Sequence, residues 1–247
     1  MTCQLEVEGL SRSYGEFRAV QGLDFRVAAG EVLGLVGPNG AGKTTTLRCL
    51  AGILPPTAGV VRIGGHDVQR EPVAAKRALA YLPDEPRLFE YLTVWEHLNF
   101  TARLYQVAHW EAEGRSLLEA LELEGKQSAL PGELSRGMKQ KLSIACGFLH
   151  RPALVLLDEP LTGLDPLGIR RMKEALRHRA ESGAALVLSS HLLPLVEELC
   201  SRVLILARGR PVALGTVAEI RAQAGDASGS LEDLFLAVTG GGGEGAG

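Results

Sequence analysis

The sequence is short of the features that mark several large classes of protein. It has four cysteines in 247 residues, Cys3, Cys49, Cys146 and Cys200, with no Cys-x-x-Cys pair and no histidine beside them at metal-ligand spacing. That argues against a disulfide framework and a structural zinc site, and predicts reduced thiols in a reducing cytosol. No run of Lys or Arg stands out and the formal net charge is −3, so the basic footprint of a nucleic-acid binder is missing. Apolar stretches such as Ala153–Leu157 fall far short of the roughly 20 residues that span a bilayer. The opening MTCQLEVEGL carries acids in an alternating pattern, unlike the basic start and apolar run of a secretion signal. No internal repeat is found. Any membrane role is expected to act through a partner subunit.

What is present is enough apolar residue, 46% of the chain, to build the core of one large or two small domains. Two kinds of strand are predicted. Leu5 and Val7 alternate with Gln4, Glu6 and Glu8, Phe25 and Val27 alternate with Asp24 and Arg26, and Val61 and Ile63 lead into the turn Gly64-Gly65, which together suggest an antiparallel layer. The continuous runs 32–36, 154–157, 186–189 and 203–207 instead suit strands buried on both faces of a parallel sheet. Between about 93 and 149 the period becomes helical. Thr93 with Glu96 forms a capping box ahead of Trp95, Leu98, Ala102 and Tyr105, a second helix carries Leu117, Leu118 and Leu121, and a third carries Met138, Leu142, Ala145 and Leu149. The aromatic residues Trp95, Phe100, Tyr105 and Trp110 are expected in the core rather than on a partner-facing surface.

The segment GPNGAGKTTT, residues 37–46, lies between a predicted buried strand and a predicted helix, the context a phosphate-binding loop requires. Gly37, Pro38, Asn39, Gly40, Ala41 and Gly42 let backbone N–H groups close around a polyphosphate. Lys43 adds a point charge, Thr44 offers a hydroxyl to a magnesium ion, and Thr45 continues the helix N-terminus. A second signal is LVLLDEP at 154–160, where an apolar strand ends in two acids at the edge where open α/β sheets bind ligands. Asp158 suits a hydrated magnesium ion, and Glu159 suits the general base that polarises an attacking water.

With LSRGMKQK at 134–141, LTGLDP at 161–166 and LSSHLL at 188–193 following in this order, the chain resembles the nucleotide-binding subunits of ABC transporters over residues 4 to about 239. The resemblance implies an α/β P-loop NTPase fold: a parallel sheet, an N-terminal antiparallel β layer and an inserted helical subdomain at about 93–150, in one ABC ATPase domain over 1–239. Residues 240–247 would be a disordered glycine-rich tail. It implies ATP as substrate and Mg²⁺ as cofactor, with Lys43, Glu159 and His191 catalytic, His191 as the switch histidine on the γ-phosphate, and Thr44, Asp84 and Asp158 around the metal. Tyr14 would stack on adenine, and Ser135 and Gly137 would reach the γ-phosphate of a second subunit. Asp165-Pro166 suits both an N-cap followed by proline and the family's loop that crosses between subunits. The implied partners are a second ABC ATPase subunit, identical or different, and a separate permease at the cytoplasmic face of the membrane. That permease would insert a coupling helix into a groove between the Asp84 loop and the helices from Thr93 onward.

Segments SHLLPLVEELCSRV, GMKQK and LEDLFLAVTG are similar to subunits paired with ABC-2-type export permeases. A DNA-repair ATPase would need coiled-coil arms that do not fit between Thr44 and Ser135, and a GTPase would need an Asn-Lys-x-Asp base reader, which is absent. The remaining alternative is a degenerate, largely non-catalytic half of a heterodimer. Three departures from the family pattern bear on it: Asp84 stands where glutamine is usual, Arg136 and Met138 interrupt Ser-Gly-Gly-Gln, and Leu161 replaces threonine. The added charge of Asp84 is expected to raise the pKa of Glu159 and to slow hydrolysis without abolishing it.

Overall fold

The computed structural model describes residues 3–224 and Phe235. The chain begins with β1 (Cys3–Tyr14) and β2 (Phe17–Ala28), then β3 (Val32–Val36) and helix α1 (Lys43–Leu50). Next come β4 (Ala58–Ile63), β5 (His66–Asp67), α2 (Pro72–Arg77) and β6 (Leu79–Leu82). Three helices follow, α3 (Val94–Tyr105), α4 (Trp110–Ala120) and α5 (Arg136–Leu149), before β7 (Leu154–Asp158) and α6 (Pro166–Glu181). The described part ends with β8 (Ala185–Ser189), α7 (Leu193–Leu199), β9 (Arg202–Ala207), β10 (Arg210–Gly215) and α8 (Val217–Ala224).

The two strand patterns go to two sheets. The alternating strands form an antiparallel sheet in the order β2-β1-β4-β5, and the continuous runs form a second sheet in the order β10-β9-β3-β8-β7-β6. In that second sheet β6, β7, β8, β3 and β9 are parallel and β10 runs antiparallel at its edge. Strands buried on both faces divide their side chains between two cores. Leu154 and Leu156 of β7 and Val187 of β8 join the core shared with the antiparallel sheet, α1 and α2, whereas Val155, Leu157, Leu186 and Leu188 join the core under the remaining helices.

The capping box at Thr93 is formed in both directions, and α3 turns Leu98 and Ala102 inward. Trp95 lies with its ring centroid 4.7 Å from that of Trp110, and Tyr105 stacks on His150 at 3.7 Å. Phe100 is the exception among the four aromatics, since it is exposed. The C-terminal segment LEDLFLAVTG apart from Phe235, and the tail at 240–247, lie outside the described residues.

Candidate functional site

Strand β3 ends at Val36, and the chain must reverse within six residues to start α1 at Lys43. Gly42 makes that reversal possible: its φ is 103°, and a Cβ there would lie 2.4 Å from the Ala19 carbonyl oxygen. A side chain at Gly42 would be both strained and in collision. No acidic residue occupies the first turn of α1, so its N-terminal dipole is left uncompensated for an anion. Lys43 is buried, with Nζ donating to the carbonyl oxygens of Gly37 at 2.7 Å and Pro38 at 3.3 Å. Burial pulls its pKa below the usual lysine value, while Glu159 and Asp158 act in the opposite sense. This orders the loop around a cation aimed at the same region as the acids.

Those acids come from the end of β7, where Asp158 is paired in register with Ser189 of β8. The Ser189 hydroxyl donates to Asp158 Oδ1 at 2.6 Å and accepts from the Glu159 N–H at 3.1 Å. Thr44 donates to the same Asp158 oxygen at 3.3 Å, so the loop and the strand end meet at one carboxylate. These are hard oxygen donors of the sort magnesium prefers. Among the described residues no group of three or more His, Cys, Asp or Glu side chains converges.

Glu159 turns away from the strand with φ at 48°, a sparsely populated conformation for a residue with a side chain. Its carboxylate meets His191 Nδ1 at 2.9 Å. The Glu159 pKa is raised, as the charge argument from the sequence anticipated, but for another reason: burial drives it upward, while His191 and Lys43 pull it down. Asp84 instead faces Arg136, with a guanidinium nitrogen 3.4 Å from its Oδ1.

A cleft of about 330 Å³ is lined by Tyr14, Asn39, Gly40, Gly42, Lys43, Thr44, Thr45, Asp158 and Glu159 together with Phe17 and Ala19. Tyr14 is exposed, with the Arg12 guanidinium 4.7 Å from its ring centroid. Phe17, its cross-strand partner, is more exposed still, at 65%. Phe17 and Ala19 of the cleft and Ser189 behind Asp158 are site residues that sequence reasoning missed. Tyr14 and Phe17 flank a two-residue turn and so had to face each other, and Ser189 is a hydroxyl closing an apolar strand run. A larger hollow of about 740 Å³, between α4, the end of α5 and α6, contains none of the phosphate-loop residues and is bordered by the Glu113–Arg151 ion pair.

Ser135 and Gly137 do not line that cleft. Ser135 caps α5, its hydroxyl accepting from the Met138 N–H at 3.2 Å, which leaves its own proton free to donate. Gly137 lies against the turn at 161–165, where a Cβ would be 3.1 Å from Leu164 Cδ2. Asp165 caps α6 by accepting from the Gly168 N–H at 2.8 Å, as the Asp-Pro pair suggested.

The comparisons with known proteins agree with this geometry. The family model for ABC transporters matches residues 20–162, more than half of the chain. The ABC-type transporter ATP-binding protein EcsA of Bacillus subtilis (strain 168) is 36% identical over 237 residues, which cover 95% of this chain and 96% of that protein. The linearmycin resistance ATP-binding protein LnrL of the same organism is 34% identical over 90% of this chain and 72% of its own length. The Nod factor export ATP-binding protein I of Paraburkholderia xenovorans (strain LB400) is 39% identical over 85% of this chain and 70% of its own length. A solved structure of an ATP-binding subunit of an ABC transporter superposes with a TM-score of 0.92 at 38% identity, covering 95% of this chain and 99% of that one. The chain therefore belongs to the ABC transporter family, among its ATP-binding subunits.

Proposed function

We propose that this chain hydrolyses ATP to power an export-type transporter, two cassettes closing on two ATP molecules beside a separate permease. The observation that carries the reading is the convergence of the Lys43 loop, the Thr44–Asp158 contact and Glu159 on one cleft, with His191 reaching the Glu159 carboxylate from a second hollow that shares Asn39. Magnesium, when bound, would neutralise charge on the phosphates, and Thr44 and Asp158 would hold it. The Lys43 ammonium compensates phosphate charge at the mouth of α1. Glu159 accepts the proton of the attacking water, and burial brings its pKa closer to neutrality, where a base is most effective. His191 holds the Glu159 carboxylate in orientation. This contact favours a hydrolysing subunit over a degenerate binding half. Tyr14, with Phe17 beside it, offers the adenine a flat apolar platform.

A single chain carries one phosphate loop and one Ser135–Gly137 segment, and that segment stands apart from the chain's own cleft, so a second cassette would complete the site. An exposed apolar patch supports docking of a permease. Phe89, Tyr91, Phe100 and Leu104 are 53%, 89%, 44% and 64% exposed, on and beside the loop before α3. Buried His97 orders that loop, accepting from the Phe89 N–H through Nε2 at 3.0 Å with Nδ1 on the Thr93 carbonyl at 2.8 Å. Export as the direction is supported by relatives named for Nod factor export and linearmycin resistance. The test is steady-state hydrolysis by the purified chain and its Glu159→Gln variant. Turnover falls by about 10²- to 10⁴-fold with ATP binding preserved if Glu159 is the base; an unchanged rate removes it from that role.

A further inference from the structure

The two most conspicuous departures from the family pattern, Asp84 and Arg136, are 52 residues apart in sequence and touch in space. Asp84 follows β6, and Arg136 is the first residue of α5. The first turn of α5 holds no acid, so a cation there opposes the helix dipole with nothing on its own element to offset it. Asp84 supplies the missing negative charge from the loop after β6, with its Oδ1 3.4 Å from the guanidinium. The stem of Arg136 also lies along the turn at 161–165: a Cβ on Gly163, whose φ is 79°, would be 3.2 Å from Arg136 Cδ and 3.4 Å from Nε. One side chain thus bridges the loop after β6, the start of α5 and the turn after β7. The pair is about half exposed, 56% and 45%, so solvent and salt weaken it and it opens at little cost.

We propose that Asp84 and Arg136 form an openable clasp and that Arg136 is a positioning residue, fixing the loop from Pro83 to Leu92 against the segment that carries Ser135 and Gly137. Displacement of the aromatic loop is then felt at Ser135 through the clasp. Its consequence for hydrolysis rests on the function proposed above; its existence does not. Hydrogen–deuterium exchange on the full chain tests it, comparing Asp84→Asn, Arg136→Gln, their double variant and Arg136→Lys. Each neutralising variant should speed exchange in residues 83–92 and in 133–138 together by about two- to five-fold, the range an exposed ion pair supports. The double variant should be no faster than either single one, Arg136→Lys should restore much of the protection, and 0.5 M salt should move the wild type toward the variants without affecting the double. In the hydrolysis assay Arg136→Gln should raise KM for ATP at unchanged kcat, and Arg136→Lys should restore it. Additive effects in the double variant, or one segment responding without the other, would overturn the clasp. A chain that does not hydrolyse ATP would refute the function while leaving the exchange result standing.

Discussion

Replacing Ser189 with alanine tests the site through a residue that should never touch the nucleotide. The hydroxyl is fully buried, donates to Asp158 at 2.6 Å and accepts from the backbone N–H of Glu159. It therefore fixes the orientation of one acid and the backbone of the next. A hydrogen bond to a charged group contributes about 1.5–3 kcal/mol, and losing such a support behind a metal ligand typically costs about 10- to 100-fold in metal affinity or activity. The assay is hydrolysis against Mg²⁺ concentration: half-saturation should rise about ten-fold or more, while binding of ATP without metal stays within about two-fold. Stability falls as well, by about 2–4 °C in Tm for each kcal/mol in a chain of this size, so a control is needed. Val187→Ala, two residues earlier in β8 and equally buried, removes packing without touching a polar atom. It should lower Tm while leaving the Mg²⁺ dependence unchanged. If Ser189→Ala shifts only Tm, like the control, then Asp158 is not held by Ser189 for the metal and the reasoning fails.

Gly42→Ala must either collide with the Ala19 carbonyl 2.4 Å away or twist the loop out of its left-handed turn. With about 1–3 kcal/mol of strain, ATP affinity in a nucleotide titration should fall by about ten-fold or more. Asp165→Ala removes the α6 cap and should cost about 1 kcal/mol in chemical denaturation, with Asp165→Asn retaining most of it. The raised pKa of Glu159 predicts a specific pH dependence. Between the ordinary glutamate value and the raised one the folded chain keeps a proton that the unfolded chain releases, so this group's contribution to stability falls as pH rises and stays unfavourable above that window. Glu159→Gln should accordingly be more stable than the wild type at neutral pH, the two converging as pH drops below the ordinary glutamate range in denaturation curves. Wild-type kcat/KM should lose activity on the acid side at a pH above that ordinary range.

The parts legible in the sequence were those fixed by short-range chemistry. The capping box at Thr93, the Asp165-Pro166 helix start and the phosphate loop all rest on contacts within a few residues. The alternating and continuous apolar runs separated the two sheets because burial on one face or on two leaves different periods. What stayed hidden depends on neighbours distant in the chain. Ser189 matters only because β7 and β8 are adjacent, and the Arg136–Asp84 contact joins segments separated by a whole helical layer. Strand β10 contains Pro211 and pairs at an edge with a shifted register, so its pattern is broken where proline is tolerated. The expectation for Glu159 had the right direction and the wrong cause, since its burial is set by the fold and its charged neighbours Lys43 and His191 are not adjacent to it in the sequence.

The proposed function requires nucleotide to join two cassettes until the γ-phosphate is lost. Size-exclusion chromatography with light scattering on Glu159→Gln, with and without ATP and Mg²⁺, measures this directly. A monomer that becomes a dimer with ATP and Mg²⁺, and reverts when ADP replaces ATP, is the predicted result. A variant that binds ATP and stays monomeric at saturating nucleotide, with or without its permease, would contradict it.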